Sequence, residues 1–238
     1  MRIKEFGESD LLVTFFTPDK GQLKGVAKGA RRSCRRFVNC LDLFSLVDLE
    51  YGLKKEGAPL HFIHSGKLVD AFEALRTDFS TLSIASYMIE LTETLFPLGV
   101  GDQEMFQLLK DSFDALAGRE GRRCMPVIFE VKAMALGGYG INVQRCCICG
   151  RAYTGQGTAV FNREKGGISC LRCQRASKVS PAIEPDSVRA MKHLLTTPFP
   201  HLETSKLSEE IIREIRPMLR LHREYRLGKK LKTCKYIE

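Results

Sequence analysis

Two Cys-x-x-Cys hooks, Cys146-Cys147-Ile148-Cys149 and Cys170-Leu171-Arg172-Cys173, constrain this chain more than any other feature, with twenty residues between Cys149 and Cys170. Each hook offers two sulfurs to one tetrahedral ion, and the intervening segment is long enough to turn back and deliver the second pair. The spacing predicts a zinc site with Cys146, Cys149, Cys170 and Cys173 as ligands, in a segment of about residues 145–178. Gly150 follows the first hook and tolerates the tight turn that aims backbone N–H groups at sulfur, whereas the second hook has Gln174 at that place. Arg145, Arg151, Arg172 and Arg175 stand beside the hooks and offset the charge of four thiolates. With four protein ligands the ion has no open position for water, so the expected Zn2+ is structural.

A redox role for the hooks would need a thioredoxin-like strand and helix, and Arg151 to Gly167 reads as Gly-rich and turn-like. The remaining cysteines include Cys34, Cys40, Cys124 and Cys234, scattered without pattern in a total of nine. No secretory signal or long apolar run precedes them, so the expected compartment is reducing and cytoplasmic.

The net charge of +9 is unevenly placed. Lys20, Lys24, Lys28, Arg31, Arg32, Arg35 and Arg36 follow one another without an acidic residue, and nine Lys or Arg between Arg213 and Lys235 face only Glu214 and Glu224. Such stretches suit a polyanion, because each neutralised phosphate releases condensed counterions. Gly29 permits an exposed turn that projects several guanidinium groups together. Phe37, beside the first cluster, reads more readily as a core anchor than as a base-stacking residue.

Residues 1–70 read as β-structure. Leu11 to Thr17 and Gln22 to Lys28 form a predicted hairpin about Pro18-Asp19-Lys20-Gly21, followed by strands at Leu43 to Tyr51 and Pro59 to Val69 with a polar turn at Gly52 to Ala58. Short strands at this spacing in a basic segment suit a small closed barrel such as an OB-fold, which binds single strands in a positive groove. Beyond Ala71 the period becomes helical. Leu75 to Leu95 is one stripe, Asp102 caps a second helix ending near Gly118, and Pro126 opens a third that stops at Gly137 and Gly138. Helices resume over Asp186 to Thr196 and from Ser208 onward, where Pro217 should kink or split the last one. The expected fold is α+β: an N-terminal OB-fold barrel (1–70), then an α-helical domain (71–238) carrying a four-cysteine zinc-binding insertion.

No catalytic motif is present: there is no phosphate loop ahead of Lys-Ser or Lys-Thr, no His-Glu-x-x-His and no Gly-x-Ser-x-Gly. His61 and His64, three apart on a predicted strand, fall on opposite faces. The expectation is therefore a protein that is not an enzyme.

Three runs carry a family resemblance: Glu5-Phe6-Gly7-Glu8-Ser9-Asp10, Phe16-Thr17-Pro18-Asp19-Lys20-Gly21 and Val26-Ala27-Lys28-Gly29-Ala30-Arg31-Arg32. They closely resemble the opening of the bacterial RecO family of DNA repair proteins, and the order of barrel, helices and zinc segment agrees over nearly the whole chain. The resemblance implies a mediator of homologous recombination that binds ssDNA and dsDNA and anneals complementary strands. It also implies contact with the C-terminal tail of the single-strand-binding protein SSB, and work with RecR to promote RecA loading at the bacterial nucleoid. Carried over by motif, Lys24, Lys28, Arg31, Arg32, Arg35 and Arg36 would contact phosphates. Family members usually carry several more residues ahead of the Glu-Phe-Gly-Glu-like segment, which predicts a short first strand or a start downstream of the native one, and a weakened or partly open barrel. The alternative class is a zinc-ribbon module that binds RNA or serves transcription.

Overall fold

The computed structural model describes residues 1–33, 35–53, 60–118, 121–203 and 207–237. Cys34 lies outside that set, as do residues 54–58 of the turn predicted at Gly52 to Ala58, whose first two residues belong to a strand instead. The chain divides into two compact units, Met1–Glu120 and Gly121–Glu238.

Among its described residues the first unit holds five strands, β1 (Arg2–Phe6), β2 (Asp10–Thr17), β3 (Gly21–Ala27), β4 (Leu46–Leu53) and β5 (His61–Asp70), in the sheet order β1-β2-β3-β5-β4. The hairpin β2–β3 is antiparallel with Thr17 opposite Gly21, and β3 pairs with β5 in parallel from Gly25 opposite His61 to Ala27 opposite Ile63. This is the OB-fold order. Alternation points one set of side chains inward, although β3 is buried on both faces except at Lys24. Val13, Phe15, Leu23, Ala27 and Ile63 fill the barrel interior, joined by Phe37 and Cys40 from the segment after β3. Phe37 is thus a core anchor, 5% exposed.

Among the described residues β1 pairs with β2, and β1 and β4 are the two ends of the sheet. The barrel is open between them, where Ile3, Leu46, Val47 and Tyr51 line an apolar cavity of about 470 Å³.

Strand β4 starts three residues later than the alternation predicts. Phe44 adopts φ 67° and buries its ring edge-on against Phe113 at 5.8 Å, so the chain turns there before it extends. Two helices complete the unit. Helix α1 (Phe79–Leu95) begins at Asp78, whose carboxylate accepts the Thr81 N–H at 2.9 Å. Helix α2 (Gln103–Ala117) begins at the predicted cap, with Asp102 accepting from Met105 at 2.7 Å.

The second unit contains α3 (Met125–Met134), a π-type turn at Ala135–Tyr139, a sheet of β6 (Ala159–Asn162), β7 (Gly167–Cys170) and β8 (Ala182–Ile183), then α4 (Pro185–Thr196) and α5 (Glu209–Leu227). The segment read as turn-like, Arg151 to Gly167, is irregular over residues 151–158 and turns at 163–166, but holds β6 between them, and the sheet has the order β7-β6-β8. Its strands are only two to four residues long, too short for alternation to register. Phe161, Ile168 and Ile183 from this sheet share one core with Val127, Ile128 and Val131 of α3, Met191 of α4 and Ile215 of α5. Inside that unit Glu130 and Arg223 form a buried ion pair, with Arg223 Nη1 2.9 Å from both carboxylate oxygens. Helix α5 runs unbroken through Pro217. The predicted split does not occur, because Ile215, Met218 and Leu219, all buried around the proline, fix the helix to the core.

Candidate nucleic-acid interface and metal centre

The four hook cysteines converge. The sulfurs of Cys146, Cys149, Cys170 and Cys173 all lie within 4.8 Å of one another. Thiolates around a tetrahedral zinc at about 2.3 Å stand about 3.8 Å apart, close to the 3.9 Å between Cys149 and Cys170.

Local chain geometry builds each half. Gly150, at φ 75°, closes the first hook by donating to the Cys146 carbonyl at 2.9 Å, and the Cys146 sulfur accepts N–H groups from Cys149 at 3.5 Å and Cys170 at 3.3 Å. The second hook starts at the end of β7 and is braced by Gln174. Gln174 accepts from Ser169 at 2.7 Å and from Asn162 at 2.9 Å, and donates to Ser180 at 2.7 Å. The missing glycine is therefore replaced by a side-chain brace.

Electrostatics agree with the geometry. Burial disfavours a thiolate at Cys146, but the N–H groups of Cys149, Cys170 and Ile148 outweigh it and bring the thiol down to about 6. Cys170 is lowered as well, by hydrogen bonds from Cys173. Cys173 is pushed up to about 12, because it keeps its proton between the sulfurs of Cys170 and Cys149. Four sulfurs this close cannot all ionise alone, and a central divalent cation removes the conflict. The donor set fits zinc. The ion would tie β7 to the Cys146 loop and leave no site for chemistry.

On the barrel, the runs that carry the resemblance are knitted to one another. Asp10 accepts the Gly29 N–H at 2.8 Å, Ser9 O accepts the Arg31 N–H at 3.0 Å, and Arg31 Nη1 donates to Glu8 O at 3.2 Å. Gly29 sits at φ 65° and opens the short turn Ala30–Arg32, so a turn lies where Gly29 was read to permit one. The opening run is thus the clamp that shapes the basic turn.

Lys24, Lys28, Arg31, Arg32, Arg35 and Arg36 are all exposed. Arg31 pairs with Glu5 at 3.2 Å, and Arg36 donates to the Lys28 carbonyl at 2.7 Å, bringing these two basic residues together. The two histidines face opposite ways, as their spacing requires. His61 packs edge-on against Tyr51 at 5.4 Å, and His64 is exposed on the outer face.

The second unit carries a hollow of about 520 Å³ that sequence reading did not locate. Arg213, Arg216 and Arg220 stand around apolar Pro126, Val127, Ile212 and Pro217, beside Arg123, which is paired with Glu209, and the Glu130–Arg223 pair. The signal was divided between the start of α3 and one face of α5, some ninety residues apart, so only the charge run on α5 was visible.

Among the described residues no helix is long and apolar enough to cross a membrane. Comparison with known proteins covers almost the whole chain. Residues 1–72 match the family model described as "Recombination protein O N terminal", and residues 76–235 match "Recombination protein O C terminal". A protein named DNA repair protein RecO from Desulfatibacillum aliphaticivorans is 31% identical over 243 residues, covering 100% of this chain and 93% of the relative. One of the same name from Syntrophus aciditrophicus is 30% identical, covering 100% and 92%. A third, from Thermoanaerobacter sp. strain X514, is 26% identical, covering 97% and 91%.

Proposed function

This chain belongs to the RecO family, and from that membership we propose that it is a non-enzymatic mediator of DNA repair by homologous recombination. It binds ssDNA and dsDNA and anneals complementary strands, and with RecR and SSB it promotes RecA loading. The barrel, residues 1–70, serves as the DNA-binding domain, and the helical domain, residues 71–238, carries the zinc insertion and the tail-binding surface. The bacterial nucleoid, in the cytoplasm, is its place of work.

The observation that carries this reading is the clamped basic turn: six exposed cations on the barrel, at a turn whose Gly29 and Arg31 are held by the residues that resemble the family's opening. Phosphates on Lys24, Lys28, Arg32, Arg35 and Arg36 would bind by counterion release, without reading sequence. Annealing is opposed by repulsion between two phosphate backbones. The barrel cluster and the arginines of α5 supply cations in both compact units, so two strands can be neutralised on one protein without nucleotide hydrolysis. The arginine-ringed apolar hollow of the second unit suits the acidic, apolar tail of SSB, with side chains for the carboxylates and a floor for the apolar residues. Zinc on Cys146, Cys149, Cys170 and Cys173 would tie the Cys146 loop to the end of β7 and so fix the ribbon internally.

The test is strand annealing. Two complementary strands precoated with SSB are mixed with the protein without nucleotide, and duplex formation is followed by fluorescence against SSB alone. Acceleration is expected. Tight DNA binding without acceleration refutes the mediator reading, and a preference for structured RNA would favour the zinc-ribbon alternative.

A further inference from the structure

The outer face of the barrel sheet carries a hollow of about 250 Å³ lined by Lys28, Leu53, Phe62 and His64. Its construction follows from strand register. Leu12, Val26, Phe62 and Gly52 stand in one row across β2, β3, β5 and β4. Phe62 and His64 alternate with Ile63, which points into the barrel core, so both project outward. Opposite Phe62 the row ends in Gly52, which has no side chain to fill the space; a Cβ there would stand 3.4 Å from His64 Nε2. Leu53 is 47% exposed at the rim, and Lys28 holds its ammonium 5.4 Å from the centre of the Phe62 ring. Arg36, bonded to the Lys28 carbonyl, brings a second cation to the same edge.

We propose that this hollow is a nucleobase subsite: one unstacked base of single-stranded DNA lies on Phe62 between Leu53 and His64, with its phosphate on Lys28. The proposal rests on the DNA-binding reading above and adds to it a basis for telling single strands from duplex. The apolar ring and Leu53 offer a face to a planar base, and the cations at the rim match a phosphodiester and repel a basic peptide. A base can enter only when it is free of its own stack, so duplex can use the phosphate contacts alone. Stacking on one aromatic side chain strengthens binding by about tenfold.

The chain contains no tryptophan, so Phe62→Trp creates a single reporter inside the hollow. Four probes are titrated: oligothymidylate, an abasic oligonucleotide with the same number of phosphates, a duplex, and an apolar peptide. Expected results are quenching of the Trp by oligothymidylate and not by the abasic strand. For Phe62→Leu, which keeps an apolar side chain in the row, a loss of about tenfold for oligothymidylate is expected with duplex affinity unchanged. A melting temperature equal to the parent's confirms that the barrel is intact.

Equal binding of oligothymidylate and the abasic strand by the parent protein overturns the subsite and leaves the DNA-binding reading standing. Unchanged single-strand affinity in Phe62→Leu does the same. Quenching by an apolar peptide but not by oligothymidylate assigns the hollow to a protein partner and overturns it. Absence of binding to any of the three nucleic acids removes both readings together.

Discussion

Neutralising Arg31, Arg32, Arg35 and Arg36 together should change the salt dependence of single-strand binding by an amount the structure sets. Six cations are exposed on and beside β3, and Arg31 already answers Glu5 at 3.2 Å, which leaves five for phosphate. Five contacts give a slope of log affinity against log salt of about −3.5 for single strands. Between about 50 and about 200 mM salt, affinity should therefore fall by about 100-fold. The variant Arg31→Gln/Arg32→Gln/Arg35→Gln/Arg36→Gln retains Lys24 and Lys28, and its slope should shrink to about −1.4. Glutamine is chosen because Arg31 and Arg36 also donate to the Glu8 and Lys28 carbonyls, and its amide can still donate. The four-lysine version keeps the charge and should keep the steep slope while losing the guanidinium forks. Fluorescence anisotropy of labelled oligothymidylate across a salt series gives each slope, with thermal melts to confirm folding. A parent slope near zero would falsify the electrostatic account. A glutamine variant with the parent's slope would move the phosphate contacts off the turn.

Three further outcomes bear on the second unit. Cys146→Ser or Cys170→Ser should reduce bound zinc measured by metal analysis and lower the melting temperature, since metal binding is coupled to folding; full stability after complete zinc removal would make the site dispensable. Glu130→Gln removes the carboxylate that Arg223 Nη1 contacts in the core, a change expected to cost up to about 3–5 kcal/mol in denaturant unfolding, while Glu130→Leu with Arg223→Met should cost less. A Gln variant as stable as the parent would show that the pair is hydrated in solution. His222 is 1% exposed with Nε2 2.6 Å from the Tyr139 carbonyl, and burial, opposed by that carbonyl and helped by Arg226, lowers its pKa. The folded unit therefore refuses a proton that the unfolded chain accepts, so stability is full above about pH 6.5 and falls as pH drops from there toward the folded value. With zinc held in excess, His222→Gln should flatten that fall, and an unchanged pH profile would remove His222 as its source.

The barrel was legible from sequence because its strands are half-buried, so alternation and turn residues report the fold directly. Pro18 to Gly21 places the hairpin turn that the register confirms, with Thr17 opposite Gly21. Asp102 was legible as a cap for the same local reason, its carboxylate reaching the Met105 N–H. Where packing at a distance decides, local signals fail. Phe44 lies inside an alternating run yet turns at φ 67° because its ring is held by Phe113, far along the chain. Pro217 should break a helix, but the apolar residues beside it are clamped in the core.

The binding surfaces show the same division. The cysteine hooks were legible because a tetrahedral ion demands fixed spacing, and the basic turn because charge and Gly29 are local properties. The brace on the second hook was not, since Gln174 acts through Ser169, Asn162 and Ser180, a network no motif encodes. Phe62 was hidden for a related reason. In sequence it reads as one more apolar residue of a strand beside Ile63, and His64 as a histidine on the face opposite His61. Only the pairing of β3, β5 and β4 sets them beside Lys28 with a glycine opposite, turning an ordinary alternating strand into an aromatic floor under a cation. A basic cluster predicts affinity for any polyanion. It is the half-buried ring under Lys28, placed next to that cluster by parallel pairing, that would make the affinity depend on whether the bases are free.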